Sequence, residues 1–146
     1  MDGKTLFRMV ADGTVRLPAL AKACWEIASA EGVQQAWAAA RPHDVRLAHA
    51  LGVIRTGGER EIPEGILKSL VTCLGHAADD VWRWTDEDGR WICERAAHAA
   101  HAVQSAAQVL LCARLGTPRE AALLVARCVR MVADATIEPR DAIRDA

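Results

Sequence analysis

Six polar or sulfur-bearing side chains recur at helical spacing in the second half of this 146-residue chain. Four, three, four, three and four residues separate them, which places all six along one side of a helix. We call this set the polar stripe, and it comprises Glu94, His98, His101, Ser105, Gln108 and Cys112. A fully solvated helix face is usually rich in Lys, Glu and Arg. Because most of the stripe is uncharged, one interpretation is that it is partly covered, in a pocket, a cleft or a protein contact. The alternative is that His98, His101 and Gln108 are ordinary half-exposed residues on the solvent side of the helix.

The polar stripe also contains side chains that can bind a metal ion. Glu94, His98 and His101 offer one carboxylate and two imidazoles, and His76 on another helix could complete the set. Metal sites in helical bundles are typically built from Glu-x-x-His pairs, and the sequence has none. We therefore predict no metal and no cofactor, and keep a metal-binding or small-molecule-binding bundle as the alternative.

Three tryptophans lie just before the polar stripe, around an acidic turn. Trp82, Arg83 and Trp84 precede the turn and Trp91 follows it. Rigid aromatic side chains beside an Arg are typical of a hot spot for binding a protein. The alternative is that they cover the end of a helical bundle.

Residues that would identify an enzyme are not recognisable in the sequence. It contains no phosphate-binding loop, GxSxG, HExxH or GxGxxG pattern. The five cysteines are widely spaced and form no CxxC pair, so we expect reduced thiols that act as small core side chains. We predict no catalytic residue, and a protein that is not an enzyme.

The elements that position these residues are predicted to be helices. Alanine, Leu and Val dominate the apolar composition, and Gly and Pro divide the chain into segments with helical periodicity. We predict an all-α, single-domain bundle of six to seven helices within residues 1–146, with three long helices in the C-terminal half and a loose tail over 136–146. The expected helices cover approximately residues 4–11, 18–30, 33–40, 44–55, 63–84, 90–115 and 118–135.

Charge and hydropathy narrow the classes of partner. The formal net charge is −1, whereas proteins that coat nucleic acid carry a concentrated basic excess. The chain has no signal-peptide pattern, and charged residues interrupt every apolar run well before the ~20 residues that a spanning helix needs. We therefore expect a cytoplasmic protein that binds neither nucleic acid nor membranes.

Two stretches share a pattern of Trp, Ala and turn residues with a known family. The first runs from Trp25-Glu26-Ile27-Ala28 through Arg41-Pro42-His43-Asp44-Val45-Arg46 to Arg55 and Gly58-Glu59. The second runs from Arg95-Ala96-Ala97 through Ala100-His101-Ala102-Val103-Gln104-Ser105-Ala106. Both resemble the all-helical immunity proteins of bacterial polymorphic toxin systems. The chain departs from that pattern in its Trp-rich turn and at Ala107, where the family has His. The resemblance implies a protein that binds and neutralises a toxin without catalysis.

These observations favour a non-catalytic helical module that binds a protein partner. The resemblance implies the immunity or inhibitor type, with a toxin or other effector as partner. The binding residues that we predict are Trp82, Arg83, Trp84, Trp91, Glu94, His98, His101, Ser105 and Gln108. Two alternatives stay open: the metal-binding or small-molecule-binding bundle, and a structural subunit that works as a homo-oligomer.

Overall fold

Six α-helices make up the part of the chain that the computed structural model describes: residues 12–57, 62–83 and 90–136, together with Thr5, Arg8 and Met9. They are α1 (Leu17–Ala28), α2 (Glu31–Ala40), α3 (Arg46–Gly57), α4 (Glu64–Arg83), α5 (Arg90–Leu115) and α6 (Pro118–Thr136). The described ranges contain no strand, and none of these helices is long and apolar enough to cross a membrane. The predicted all-α class, with three long helices in the C-terminal half, is confirmed. Most of the predicted helix over 4–11, and residues 137–146 of the predicted tail, lie outside the described residues.

The junction between α5 and α6 follows from local sequence. Gly116 has a φ of +70°, a left-handed conformation that a residue with a Cβ adopts only with strain, and it directly follows the last residue of α5. Pro118 then begins α6, because proline's fixed φ suits the first turn of a helix, where its missing N–H costs no hydrogen bond. Two residues therefore reverse the chain, and α6 packs back along α5.

Helix α5 is the centre of the molecule and contacts all five other helices. Opposite the polar stripe, the sequence predicts an apolar face that comprises Ile92, Ala96, Ala99, Val103, Ala106 and Leu110. This face is buried in the middle of the helix, but Ile92 at its start is 43% exposed. Burial also extends well beyond that face, because alanines on most sides of α5 allow neighbouring helices to approach closely. The fully buried alanines of α5 are Ala96, Ala99, Ala100, Ala102, Ala106 and Ala107.

Between its two long neighbours, one side of α5 is not covered by any other described helix. Both α4 and α6 pack extensively on α5, but they make little or no contact with each other. In the middle of α5, the side chains that keep some exposure are His98, His101, Gln104 and Gln108. We call this opening, with α4 and α6 as its walls and the polar stripe as its floor, the seam.

The turn between α2 and α3 is fastened to α4 by charged side chains. Arg46 binds the Asp44 carboxylate at 2.7 Å and the Asp80 carboxylate at 2.9 Å. Arg41 donates to the main-chain oxygen of Asp80 at 2.8 Å, and the indole of Trp37 donates to the main-chain oxygen of Asp44 at 3.1 Å. These bonds fix the Arg41–Arg46 turn against the C-terminal half of α4.

The C-terminus of α6 is positioned by α2 and α5. The Arg95 guanidinium donates to the Ala135 carbonyl at 2.9 Å, which satisfies one of the carbonyls left free at a helix end. A Cβ added at Gly32 of α2 would lie 2.9 Å from Cγ2 of Thr136. The start of α2 and the end of α6 therefore lie so close together that position 32 has no room for a side chain.

Candidate functional site

The polar stripe lies on the floor of the seam and is partly covered. Ser105 and Cys112 are buried, whereas Glu94, His98, His101 and Gln108 are half-buried. The Ser105 hydroxyl donates to the His101 carbonyl at 2.9 Å, which is a bond within the helix. The half-buried members are therefore the ones that can meet a ligand.

His101 is oriented by a short chain of hydrogen bonds between α5 and α4. The Gln104 amide nitrogen donates to the Val71 carbonyl at 2.9 Å, so its amide oxygen faces the His101 ring and lies 3.0 Å from Nδ1. The neutral ring therefore carries its proton on Nδ1, and Nε2 keeps a lone pair. Gly75 makes room for this contact, because a Cβ there would lie 3.1 Å from the Gln104 amide nitrogen.

Two buried polar atoms of the stripe, in contrast to His101 Nδ1, have no hydrogen-bond partner in the described part of the chain. His98 Nδ1 and Gln108 Oε1 are buried, and neither makes a hydrogen bond to a described residue. Most buried polar atoms in folded proteins are hydrogen-bonded, since a missing bond costs about 1–3 kcal/mol. Two buried polar atoms on the floor of the seam are therefore left without hydrogen bonds within the described ranges.

The four residues of the metal alternative are not gathered into a site. No group of three or more His, Cys, Asp or Glu within the described ranges is placed to hold a metal ion. His76 is exposed on α4 and lines a shallow surface depression of about 400 Å³ together with Lys68, Ser69, Thr72 and Cys73, all from the same helix.

The predicted tryptophan cluster is described in part. The Trp82 side chain is 44% exposed near the end of α4. Trp91 is half-buried in the first turn of α5, and its indole nitrogen makes no hydrogen bond to a described residue. Trp84 and the side chain of Arg83 lie outside the described residues. Both interpretations of the cluster therefore stay predictions.

Trp82 and the polar stripe lie on the same side of the molecule. Trp82 follows Gly75 by seven residues, so it lies two turns further along the same face of α4. That face meets α5 beside His101, through the contact between Gly75 and Gln104. Since α4 and α5 run antiparallel, Trp82 stands at the Glu94 end of the seam.

Two of the three buried thiols lie away from the floor of the seam. Cys24 and Cys128 are fully buried between α1 and α6, and the Cys128 thiol lies 3.4 Å from the Ala102 carbonyl. The hydrogen bond with Cys128, together with burial, raises the pKa of the Cys24 thiol. These thiols act as core side chains and are poor nucleophiles.

Sequence reasoning missed Gln104 and Gly75. Gln104 is not a member of the stripe, and its role depends on a carbonyl of α4 that lies 33 positions earlier in the chain. A glycine within a helix was the available signal, because such a glycine often marks a close approach of another element.

Together, the seam and Trp82 offer hydrogen-bond acceptors, a half-exposed carboxylate and an exposed indole.

Comparison of the chain with protein-family models, with curated proteins and with solved structures finds no match. The family resemblance predicted from the sequence therefore stays a prediction. The arrangement of the seam and Trp82 supplies the evidence for a functional conclusion.

Proposed function

We propose that this protein is a non-catalytic module that binds a protein partner through the seam and Trp82. In this proposal it acts as an immunity-type inhibitor in the cytoplasm, and its partner is a toxin or another effector. The resemblance in the sequence motivates the inhibitor role.

The observation that carries the proposal is an exposed tryptophan at one end of a half-buried polar floor. Tryptophan is among the residues most enriched at binding hot spots, because it buries a large area with little loss of entropy. The half-buried side chains of the polar stripe keep accessible surface that can form hydrogen bonds with a partner. Trp82 and the polar stripe together provide both features.

The hydroxyl and thiol groups of the stripe support a non-catalytic role. A nucleophile needs a side chain that can reach substrate and a base within hydrogen-bond distance. The Ser105 hydroxyl is buried and donates to a carbonyl of its own helix, and Cys112 is buried. Binding rather than bond cleavage is the chemistry that this arrangement favours.

The proposal is tested by recovering the partner from the native host. The full chain serves as bait, and the expected result is one host protein bound at stoichiometric yield. Trp82→Ala should weaken the recovered complex by about tenfold or more, because hot-spot truncations cost about 2 kcal/mol.

Ile27→Ala is the matched control, since Ile27 is also an exposed large apolar residue but lies on α1. Its complex should keep the affinity of the natural protein within about twofold, the effect expected of a residue outside an interface. If no host protein is recovered at stoichiometric yield, the proposal is rejected.

A homo-oligomer is the second candidate, and a different surface favours it. Leu115 at the end of α5 and Leu123 in α6 are 56% and 62% exposed. Large apolar side chains that a protein exposes can contribute to subunit contacts. Light scattering over a hundredfold range of protein concentration tests this candidate, and a constant monomer mass excludes it.

A further inference from the structure

The stretch of sequence that joins α4 to α5 carries an excess of carboxylates. Residues 79–94 contain six carboxylates and two guanidiniums, whereas the whole chain has a formal net charge of only −1. The carboxylates belong to Asp79, Asp80, Asp86, Glu87, Asp88 and Glu94, and the guanidiniums to Arg83 and Arg90. This local excess of negative charge attracts cations.

The acidic residues of α4 and α5 are not equally available. The Asp80 carboxylate is already paired with Arg46 at 2.9 Å. Asp79 is exposed three residues before Trp82, on the same side of α4. Glu94 is half-buried at the end of the polar stripe, and among the described residues its ion pair is a surface contact of 3.4 Å with Arg90. Asp79 and Glu94 therefore remain accessible at the same end of the seam as the exposed indole of Trp82.

A carboxylate beside an exposed indole suits a guanidinium better than other cations. The planar guanidinium stacks on an aromatic face and donates two parallel hydrogen bonds to a carboxylate. A Lys ammonium can use the same charges but cannot make the flat, two-point contact.

Beyond Glu94, the floor of the seam offers a hydrogen-bond acceptor, His101, for the rest of a bound segment. His101 follows Glu94 by seven residues, or about 10 Å along the helix, which is the length of about three residues of extended chain. The fixed Nδ1 proton leaves His101 Nε2 as an acceptor, and main-chain N–H groups are the donors that an extended segment supplies.

We infer that the seam takes an arginine-bearing, extended segment of the protein partner. The guanidinium lies between Trp82 and Glu94, and the main chain of the segment runs toward His101. This inference rests on the proposed function, because it names the chemistry of the partner at the same surface.

The test uses a defined probe, a blocked and fluorescein-labelled hexapeptide in which Gly and Arg alternate. Anisotropy is measured against the full-length protein at low salt and at physiological salt. Matched peptides carry Lys, citrulline or Glu in place of Arg. We expect the Arg peptide to bind more tightly than the Lys peptide, the citrulline peptide to bind weakly, and the Glu peptide not to bind. Salt should weaken the Arg complex.

Variants of the protein locate the bound peptide. Trp82→Ala and Glu94→Gln should each weaken binding of the Arg peptide by about fivefold, the effect of losing a contact worth about 1 kcal/mol. Glu26→Gln is the matched control, because Glu26 is an exposed carboxylate on α1 and its loss changes the net charge equally. It should change binding by less than about twofold, since surface charges remote from a site are screened.

Three results would overturn the inference: no binding of the Arg peptide, equal binding of the Glu peptide, or equal weakening by Glu26→Gln and Glu94→Gln. A host partner that binds the natural protein and Glu94→Gln with the same affinity also overturns it, while the proposed function stands. Circular dichroism of each variant confirms that its helices are retained.

Discussion

At the scale of single residues, the contact between Asp44 and Arg46 gives the charged residues of the α2–α3 turn a structural role. Arg46 Nε lies 3.0 Å from both carboxylate oxygens of Asp44, and the Arg46 main-chain N–H donates to one of them. The hydrogen bonds from Arg46 hold the pKa of the Asp44 carboxyl below its ordinary value, although burial acts in the opposite direction. The Arg-x-x-Asp-x-Arg sequence of this turn therefore has a structural role.

The low pKa of Asp44 predicts a specific loss of stability in acid. A carboxyl whose pKa is lower in the folded protein stabilises the fold above its unfolded pKa of about 3.9, and this contribution is lost as the pH falls through the folded value. Asp44→Asn should cost about 1–2 kcal/mol at pH 7 and less at pH 2–3. Urea unfolding of both proteins at each pH measures the difference.

Asp79→Asn is the control for this experiment, since Asp79 is exposed on α4 next to the Asp80 that Arg46 binds. It should change stability at pH 7 by less than about 0.5 kcal/mol, as is usual for surface substitutions. The same stability difference between Asp44→Asn and the natural protein at both pH values would contradict the prediction.

The five cysteines should differ in reactivity according to burial. Cys73 and Cys93 are half-buried, whereas Cys24, Cys112 and Cys128 are buried. Burial and hydrogen bonding keep the Cys24 thiol protonated, and the thiolate is the form that reacts. Ellman's reagent should modify Cys73 and Cys93 in the native protein, and all five thiols after unfolding. Rapid native modification of Cys24 or Cys128, mapped by mass spectrometry, would contradict the described packing.

At the scale of the elements, the sequence predicts helix bounds well where local chemistry determines them. The bounds of α5 agree with the prediction, because Gly116 ends the helix locally. The predicted start of α3 at Asp44 was two residues early, since the Asp44 side chain binds the Arg46 main chain just ahead of the helix. Pairings between helices, such as Gln104 with Val71, depend on which helices become neighbours and leave no local signal.

Close packing of α4 on α5 gives the clearest prediction at this scale. Replacing a helical Gly with Ala usually stabilises by about 0.5–1 kcal/mol. At Gly75 the added Cβ would lie 3.1 Å from the Gln104 amide, which is held by Val71 and His101. We expect Gly75→Ala to destabilise the protein, as measured by urea unfolding.

Gly52 provides the matched control, because it lies in α3 and a Cβ there meets nothing within 4 Å. Gly52→Ala should therefore be stabilising. In the Gln104→Ala background, where the clashing amide is absent, Gly75→Ala should also become stabilising. Stabilisation by Gly75→Ala in the natural background would show that Gln104 is free to move.

At the scale of the whole molecule, the described helices form one compact bundle around α5, a feature that the sequence indicates only in part. Helical periodicity in the sequence separates the polar stripe from one apolar face of α5. Alanine is only weakly hydrophobic, so it adds little to the hydrophobic periodicity from which buried faces are predicted. Ala100 and Ala107 lie outside that predicted face and are nevertheless fully buried. Burial on most sides depends on five helices meeting around one, which is a property of the assembled fold.

The central position of α5 predicts the order in which main-chain amides exchange with solvent. Helix α5 contacts every other helix, and Val103 and Ala106 in its middle are fully buried, so these amides should exchange only when the whole domain unfolds. Their protection should approach the full free energy of unfolding, about 5–15 kcal/mol for a domain of this kind. Amides of α3 should exchange through smaller openings, because α3 packs at the edge of the bundle and exposes Gly52 and Thr56. Hydrogen–deuterium exchange followed by mass spectrometry measures both helices in one sample, and protection of α3 equal to that of α5 would contradict a bundle organised around α5.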